Sequence, residues 1–176
     1  KALKFSGAEL VYLSVPNSKH FNLAKKILNH GYHLIVDKPI TTKLGEVKKL
    51  INIANKKKLL LSEAVFYNYH NQFNYLKRFC GNLKNIEQLF VNFTIPTPQS
   101  NSLLASRELC GGALMDMGSY AASIHRIFFK EKINNKNIII KKNKSGLVTS
   151  FDIFFKYKTK VFIGTFRFGG EYRNNI

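Results

Sequence analysis

Two short segments of the sequence carry proton-handling side chains in settings where enzymes place their chemistry. The first is Val36-Asp37-Lys38-Pro39, which ends an apolar run, and the second is the segment from Gly111 to Tyr120, which opens a predicted helix. A lysine can hydrogen-bond a hydroxyl group and favour its deprotonation, and a tyrosine can donate a proton to a carbonyl oxygen. The two segments together predict proton transfer on an alcohol or a carbonyl substrate, with Lys38, Asp116 and Tyr120 as the catalytic residues.

Residues that follow two predicted parallel strands form one side of the candidate ligand site. Open parallel sheets bind ligands beyond the carboxyl ends of their strands. Pro16, Asn17 and His20 follow the first strand, and Lys38 and Pro39 follow the second. Pro39 can fix the turn through a cis peptide bond. Taken alone, an Asp-Lys-Pro segment is more often an ordinary surface loop, and the other motifs favour the functional interpretation here.

The helix predicted after Gly111 and Gly112 places Asp116 and Tyr120 four residues apart, on one face. Ser123 falls on the same face, so these three residues are candidates for binding the substrate. His125 should point to the opposite side, which argues against it as the catalytic acid. The alternative reading is structural: an acidic residue near a helix start complements the helix dipole, and the tyrosine packs half-buried in the core.

The elements that must position these residues alternate in type over the first part of the chain. We predict strands over 9–15, 33–37 and 59–66. Between them we predict a helix that starts with a Ser18 N-cap and ends at Gly31, and a second helix capped by Thr41 or Thr42. This order indicates right-handed crossovers and a parallel sheet.

The second part of the chain follows a different pattern. We predict helices over 71–79 and 114–129, strands over 85–95 and 138–142, and a hairpin of strands 147–157 and 160–168. The fold class expected is α/β: a partial Rossmann parallel sheet followed by an α+β domain with an open, mostly antiparallel sheet. We place the end of the nucleotide-binding domain at residue 68 and assign 69–176 to a truncated substrate and oligomerisation domain.

Composition excludes several classes of protein. The 176 residues contain 45% hydrophobic residues, enough for a sizeable core, and show no apolar run of membrane-spanning length. Two cysteines form neither a disulfide framework nor a metal-binding spacing, so we expect no metal and a cytoplasmic protein. The net charge of +18 comes from scattered lysines, so we expect no nucleic-acid partner, although the charge favours anionic substrates. The start at Lys1 and the short last strand suggest an internal fragment.

The sequence resembles the glucose–fructose oxidoreductase/inositol dehydrogenase family (Gfo/Idh/MocA) over nearly its whole length. The matching stretches are residues 15–20, residues 31–39, Glu63-Ala64, residues 111–120 and the end of the chain from Phe168. The resemblance implies a Rossmann domain, an NAD or NADP cofactor and an open sheet that often forms an oligomer interface. It implies that the first segments, including Asp37 and Glu63, line the nicotinamide side of the cofactor site.

The resemblance also implies roles for the later residues. Lys38 is the expected catalytic lysine, Asp116 the substrate contact and Tyr120 the proton donor, where many members have histidine. Tyrosine here favours a sugar or nucleotide-sugar substrate over inositol. Four positions depart from the usual pattern: Asp37 replaces a glutamate, Cys110 a glycine, Asn68 an arginine and Asn71 a proline.

The sequence has no GxGxxG segment and no acidic residue spaced after one, which together cradle the pyrophosphate and read the ribose. We expect both to precede Lys1, and we expect this chain alone to bind a dinucleotide poorly and to be inactive. The rival hypothesis is a non-catalytic sensor or scaffold of the same fold. The enzyme hypothesis requires that Lys38 and Tyr120 reach one cleft.

Overall fold

The computed structural model describes residues 2–81 and 85–176. The described chain forms two compact units. The first unit runs to Val65 and includes Glu108–Cys110, and the second contains Phe66–Arg107 and Gly111–Ile176. The substrate and nucleotide roles assigned to the two parts remain predictions.

The first unit is built on a three-stranded parallel sheet. Its elements in chain order are α1 (Ala2–Phe5), β1 (Leu10–Leu13), α2 (Asn17–Asn29), β2 (His33–Asp37), α3 (Leu44–Lys57) and β3 (Leu61–Ala64). The strand order is β1-β2-β3, with Leu13 beside Val36 and Asp37 beside Ala64. The carboxyl ends of the three strands therefore meet at one edge, as the sequence pattern predicts.

The central strand β2 carries the core of the first unit. Leu34 and Val36 are fully buried, and they pack with Leu28 of α2 and Leu50 of α3. The expectation that β1 is buried on both faces is wrong, because Leu10 and Tyr12 are about half exposed. In the described sheet β1 pairs with β2 alone, so only part of its surface is covered.

The expected N-caps of α2 and α3 are also wrong, although the Gly31 stop is confirmed. Helix α2 starts directly after Pro16, so Ser18 lies inside the first turn and cannot cap it. Helix α3 has Lys43 at its N-cap position, and Thr41 instead donates to the Lys43 carbonyl oxygen at 2.9 Å. Gly31 follows α2 with a φ of 88°, the left-handed conformation that glycine tolerates.

The second unit is an α+β structure around a five-stranded mixed sheet. It begins with a 3-10 helix (Phe66–Tyr69) and continues with α4 (Asn71–Phe79), β4 (Gln88–Ile95), a 3-10 helix (Leu103–Ala105), α5 (Ala113–Phe128), β5 (Asn135–Lys142), β6 (Val148–Lys156), β7 (Val161–Phe168) and β8 (Arg173–Asn175). The sheet order is β5-β6-β7-β4-β8. Among the described pairings of this five-stranded sheet, β4–β7 is parallel and the other three are antiparallel, which confirms a mostly antiparallel sheet.

Helix α5 lies on the inner face of this sheet and buries one side of its surface there. Ala113, Met117, Ala121, Ile124 and Phe128, spaced three or four residues apart, are all buried. They pack against a layer of phenylalanines from β6 and β7. The face that carries Asp116 and Tyr120 is therefore turned away from the most buried side of the helix. The predicted fold class, a partial parallel sheet followed by an α+β unit, is confirmed.

Candidate active site

Lys38 occupies a turn directly after β2 that neighbouring elements hold on both sides. The Lys38–Pro39 peptide bond is cis. The carbonyl oxygen of Pro39 lies 2.8 Å from Nδ1 of His20, and the backbone N–H of Ile40 donates to Oε1 of Glu63 at 3.0 Å. Because His20 lies on α2 and Glu63 on β3, the turn after Lys38 is fixed to two other elements of the unit.

Asp37, the residue before Lys38, is fixed to the neighbouring strand. One carboxylate oxygen accepts a short hydrogen bond from the hydroxyl of Tyr12, and the other accepts from Ser14 at 2.6 Å. This hydrogen bond to a carboxylate raises the pKa of the Tyr12 phenol above its usual value of 10.0. Both oxygens of Asp37 therefore have hydrogen-bond partners in β1 and in the segment that follows it. The expected contact of Asp37 with a cofactor stays a prediction.

His20 joins the segments that follow β1 and β2. Its ring is fully buried, and Nε2 lies 2.8 Å from the carbonyl oxygen of Val15 while Nδ1 lies 2.8 Å from that of Pro39. Both ring nitrogens therefore have backbone partners, and the expected contact of His20 with a cofactor stays a prediction.

The segment after β1 is held by residues from later in the chain that belong to the same unit. The side-chain nitrogen of Asn17 donates to the carbonyl oxygen of Cys110 at 2.9 Å. The backbone N–H of Ser18 donates to the carbonyl oxygen of Leu109 at 3.3 Å. Cys110 adopts a φ of 57°, a left-handed conformation that glycine favours. This backbone conformation explains why a glycine is usual at the position that Cys110 occupies. Asn17 therefore has its amide nitrogen committed to the fold.

In the second unit, Gly111 and Gly112 start α5 at a place where the backbone approaches other backbone closely. A Cβ atom on Gly111 would lie 2.4 Å from the carbonyl oxygen of Leu103 and 2.5 Å from that of Leu104. The N–H of Gly112 donates to the Leu104 carbonyl at 2.8 Å. This contact sets the starting point of α5, and with it the position of Asp116 in the first turn.

Tyr120 is packed on α5 between two aromatic rings. Its ring centroid lies 5.3 Å from that of Tyr67 and 5.5 Å from that of Phe93. Both distances fall in the range of favourable aromatic pairs. A cavity of about 340 Å³ in this unit is lined by Tyr120, and also by Phe66, Tyr67, Gln72, Phe73, Leu76, Val91, Phe93, Ile124, Phe166, Tyr172, Asn174 and Ile176. Tyr120 thus lies at an aromatic-walled pocket large enough for a small ligand.

Ser123 holds Tyr67 beside Tyr120. Its hydroxyl makes a short hydrogen bond with that of Tyr67 and donates to the Ser119 carbonyl oxygen at 2.5 Å. Burial raises the pKa of the Tyr67 phenol, an effect that the bond to Ser123 partly offsets. The expected contact of Ser123 with substrate stays a prediction.

Tyr67 is the residue of this site that sequence reasoning missed. It lies in a 3-10 helix, where neither the helical nor the strand period marks a residue as facing the core. The available signal was its position, four residues after Glu63 in a stretch already singled out for its departures at Asn68 and Asn71.

His125 lies among aromatic side chains of the sheet. Its ring contacts those of Phe155 and Phe162, and its Nδ1 forms a hydrogen bond of 2.9 Å with the hydroxyl of Tyr157. Burial and the charge of Arg126 lower the pKa of His125 below 6.5, and burial raises the pKa of Tyr157 to about 12. Both groups are therefore neutral at neutral pH and form a polar contact within the core.

The first unit brings together Pro16, Asn17, His20, Asp37, Lys38, Pro39 and Glu63 at the strand ends, and the second brings together Asp116, Tyr120 and Ser123 on α5. Within residues 2–81 and 85–176, no three His, Cys, Asp or Glu side chains are grouped to hold a metal ion. No helix in the described part of the chain is long and apolar enough to cross a membrane.

Comparison with known proteins identifies the first unit. Residues 2–65 match the model of the GFO_IDH_MocA family, described as an oxidoreductase family with an NAD-binding Rossmann fold. Among curated proteins, a dTDP-3,4-didehydro-2,6-dideoxy-alpha-D-glucose 3-reductase of Saccharopolyspora spinosa is 29% identical over 68% of this chain and 37% of its own length. The corresponding reductase of Streptomyces violaceoruber is 22% identical over 76% of this chain and 40% of its own length.

Solved structures show the same fold over both units. A 3-ketoreductase from Actinomadura kijaniata, solved with TDP-benzene and NADP, superposes with a TM-score of 0.86 and 21% identity, covering 98% of this chain and 55% of that one. A UDP-N-acetylglucosamine 3-dehydrogenase from Acidithiobacillus ferrooxidans gives a TM-score of 0.78 and 17% identity, covering 96% and 54%. The chain therefore spans about half the length of these proteins, or less.

The resemblance inferred from the motifs at the strand ends is confirmed where the family model applies. The matched residues contain β1, β2 and β3, the Val15–Asn17 segment and the Lys38–Pro39 turn. Residues 2–65 of this chain match the model of the Gfo/Idh/MocA family of oxidoreductases.

Proposed function

We propose that the chain is part of an NAD(P)-dependent oxidoreductase that transfers a hydride between nicotinamide and a carbon of a sugar, a nucleotide sugar or a related polyol. In this proposal the first unit forms the nicotinamide side of the cofactor site and the second unit binds the substrate. Tyr120 transfers a proton to or from the substrate oxygen, Lys38 supports that transfer, and Asp116 binds a substrate hydroxyl.

The observation that carries the proposal is the anchoring of the Lys38 turn at the carboxyl end of a parallel sheet. Asp37, Pro39 and Ile40, the three neighbours of Lys38 along the chain, are each hydrogen-bonded to a different element. A surface loop with no function has no need of such fixation, whereas a catalytic group must be held in place within a fraction of an ångström. The turn lies in the segment that matches an NAD-binding family.

The residues present fit part of a dinucleotide site. The carboxyl ends of β1 and β2 are where a parallel sheet of this type receives its cofactor. Asp37, His20 and the amide nitrogen of Asn17 are committed to internal hydrogen bonds, so the Val15–Asn17 backbone and the Lys38–Pro39 turn would contact the nicotinamide. NAD and NADP both remain open, because the chain has no glycine-rich turn with its following acidic or basic residue.

The proposed chemistry assigns one proton to Tyr120. The bound nicotinamide supplies the hydride for reduction of a carbonyl carbon, or accepts it in the reverse direction. Tyr120 donates its phenolic proton to the carbonyl oxygen, and the ammonium group of Lys38 stabilises the phenolate that remains. In the reverse reaction the phenolate takes the hydroxyl proton. The rings of Tyr67 and Phe93 pack against the Tyr120 ring and support its position.

Two features of the relatives support these assignments. The structures of the Actinomadura kijaniata ketoreductase include variants of one lysine and of one tyrosine, which are separated by nearly the same number of residues as Lys38 and Tyr120. The curated relatives include dTDP-sugar 3-reductases and a scyllo-inositol 2-dehydrogenase (NADP(+)) of Bacillus subtilis. Tyrosine at the proton-donor position favours a nucleotide sugar over inositol.

We extend the proposal to a cytoplasmic homo-oligomer that uses the outer face of the five-stranded sheet. Phe90, Ile163 and Phe154 are register partners on three adjacent strands, so their side chains form one row on that face. Phe90 and Phe154 are 56% and 40% exposed. An apolar row of this kind across a sheet face is typical of a protein–protein interface.

The decisive experiment uses the longer protein that contains this chain. Lys38→Ala and Tyr120→Phe should each lower kcat/KM by about two to four orders of magnitude, the usual contribution of an acid–base group. Lys48→Ala and Tyr75→Phe, which remove an exposed lysine and the hydroxyl of an exposed tyrosine on other helices, are the matched controls.

Binding measurements separate the enzyme from its alternatives. Titration with NADH and NADPH, followed by nicotinamide fluorescence, should show binding of one of them by the unmodified protein and by Tyr120→Phe. Binding of neither cofactor would favour the sensor or scaffold. Tight binding of DNA that weakens steeply with salt would favour a nucleic-acid protein instead.

A further inference from the structure

We infer that His20 is a positioning residue for Lys38: a buried imidazolium that ties the segment after β1 to the turn after β2. Its contacts with Val15 and Pro39 join the two strand ends that the proposed function assigns to the nicotinamide. The inference rests on the proposed function only for the catalytic role of Lys38, and its structural part stands by itself.

The hydrogen-bonding partners of His20 determine how many protons the ring carries. Nδ1 lies 2.8 Å from the Pro39 carbonyl oxygen and Nε2 lies 2.8 Å from the Val15 carbonyl oxygen. A backbone carbonyl oxygen only accepts hydrogen bonds, so each contact needs an N–H on the ring. A neutral imidazole has one N–H, and its other nitrogen would direct a lone pair at a carbonyl oxygen. Only the doubly protonated ring satisfies both contacts.

Both nitrogens of the charged ring have acceptors. Burying a charge is costly unless it is paired and hydrogen-bonded, and hydrogen bonds from a charged donor are about twice as strong as neutral ones. Two carboxylates belong to the same part of the unit: Asp37 directly precedes Lys38, and Glu63 of β3 accepts from the N–H of Ile40.

His20 acts on Lys38 through the backbone. The carbonyl oxygen that it holds belongs to Pro39, the residue directly after Lys38. Without His20, that carbonyl group loses this partner, and one of the contacts that fix the turn is gone. The position of the Lys38 side chain then depends on fewer contacts. The pairing of β2 with β1 and with β3 does not involve His20 and is unchanged.

The first test is spectroscopic and uses the unmodified chain. In protein labelled with ¹⁵N at histidine, both ring nitrogens of His20 should show a one-bond coupling to hydrogen at neutral pH. His33 is the internal control: its Nδ1 accepts from the backbone N–H of Leu60 at 2.8 Å and should show no such coupling. A His20 ring with one uncoupled nitrogen would overturn the imidazolium assignment.

The second test measures the effect on the turn. In His20→Gln and His20→Phe, the amide of Ile40, which is bonded to Glu63, should exchange its hydrogen at least about tenfold faster than in the unmodified chain. His33→Gln, which changes a histidine with the opposite hydrogen-bonding role, should leave this rate within about twofold. Unchanged exchange at Ile40 in both His20 variants would refute the positioning role.

A kinetic measurement on the longer protein links the turn to catalysis. His20→Gln should lower kcat at least about tenfold while the KM for the sugar substrate changes less than threefold, since the variant misplaces Lys38 without removing a substrate contact. A loss confined to KM would refute the link to Lys38. If Lys38→Ala leaves turnover intact, the proposed function fails, whereas the NMR result on His20 is unaffected.

Discussion

A single methyl group added at Gly111 should destabilise the second unit, whereas the same group added at Gly118 should stabilise it. Both glycines belong to the segment that carries Asp116 and Tyr120, and they lie seven residues apart. A Cβ atom on Gly111 would lie 2.4 and 2.5 Å from two backbone carbonyl oxygens, far inside contact distance. On Gly118 the nearest atom is Cδ1 of Leu114, at an ordinary 3.6 Å.

The expected magnitudes follow from these distances. Gly111→Ala must displace backbone, since Leu103 and Leu104 present main-chain oxygens and not flexible side chains. Overpacking of this kind costs about 3 kcal/mol. The hydrogen bond between the Gly111 N–H and the Ser106 carbonyl, 2.8 Å long, would be strained as well. Gly118→Ala replaces a glycine inside α5 and should increase the free energy of unfolding by about 0.5–1 kcal/mol.

Urea titration followed by circular dichroism measures both effects on the same transition. Gly111→Ala should lower the urea midpoint by more than about 1 M, because urea slopes for domains of this size are about 1–3 kcal/mol per molar. Gly118→Ala should raise the midpoint. Equal midpoints for the two variants would show that the start of α5 is not set by close contact with the 103–104 backbone, and the reasoning about the position of Asp116 would fail with it.

Four further predictions concern individual side chains. Asp37→Asn should lower the pKa of the Tyr12 phenol towards 10.0, read from its ring carbon shift, because the carboxylate raises that pKa in the native chain; an unchanged pKa would contradict this cause. Tyr157 should stay protonated to about pH 12, and the free energy of unfolding should fall between pH 10 and 12, because the unfolded chain releases this proton first; His125→Gln should leave this alkaline loss in place. The lowered pKa of His125 gives the opposite pH dependence, a loss of stability in acid. The unfolded state binds the proton more readily than the folded state, so the free energy of unfolding should fall as the pH drops below 6.5. His125→Gln should reduce that fall in urea titrations. Phe154→Glu should shift the mass seen by light scattering towards the monomer, whereas Tyr75→Glu on α4 should not; equal masses would count against the sheet-face interface.

The positions of the strand ends could be predicted from the sequence because apolar runs and prolines mark them directly. The runs before Pro16 and Pro39 become β1 and β2, and their carboxyl ends meet at one edge of the sheet. The N-caps of the two helices were predicted less accurately than the strand ends. Ser18 and Thr41 are favourable capping residues by type, but α2 starts at Asn17, two residues earlier than a Ser18 cap requires, and Thr41 forms a turn before α3.

The roles of individual side chains at the site were harder to predict, because they depend on contacts between residues distant in the chain. The motifs identified His20, Asp37 and Ser123 as polar groups near the chemistry, but not that each is used by the fold. His20 bonds residues 5 and 19 positions away, Asp37 bonds residues 23 and 25 positions away, and Ser123 bonds Tyr67, which is 56 positions away. No local period reports such pairings, so a polar residue at a strand end reads the same whether it binds a ligand or supports a turn.

The two proposed catalytic groups are held by different kinds of interaction, and this difference decides how each should respond to mutation of its neighbours. Lys38 lies in a turn fixed by hydrogen bonds, whose strength depends on geometry and on satisfied partners, so losing one donor such as His20 affects the turn sharply. Tyr120 is held by the rings of Tyr67 and Phe93, whose contacts depend on area and change gradually with shape. Phe93→Leu should therefore reduce turnover less than His20→Gln does, although Phe93 touches the proposed proton donor and His20 does not touch Lys38 through its side chain. Steady-state rates of the two variants in the longer protein test this order, and a larger loss for Phe93→Leu would show that packing around Tyr120 limits the reaction instead.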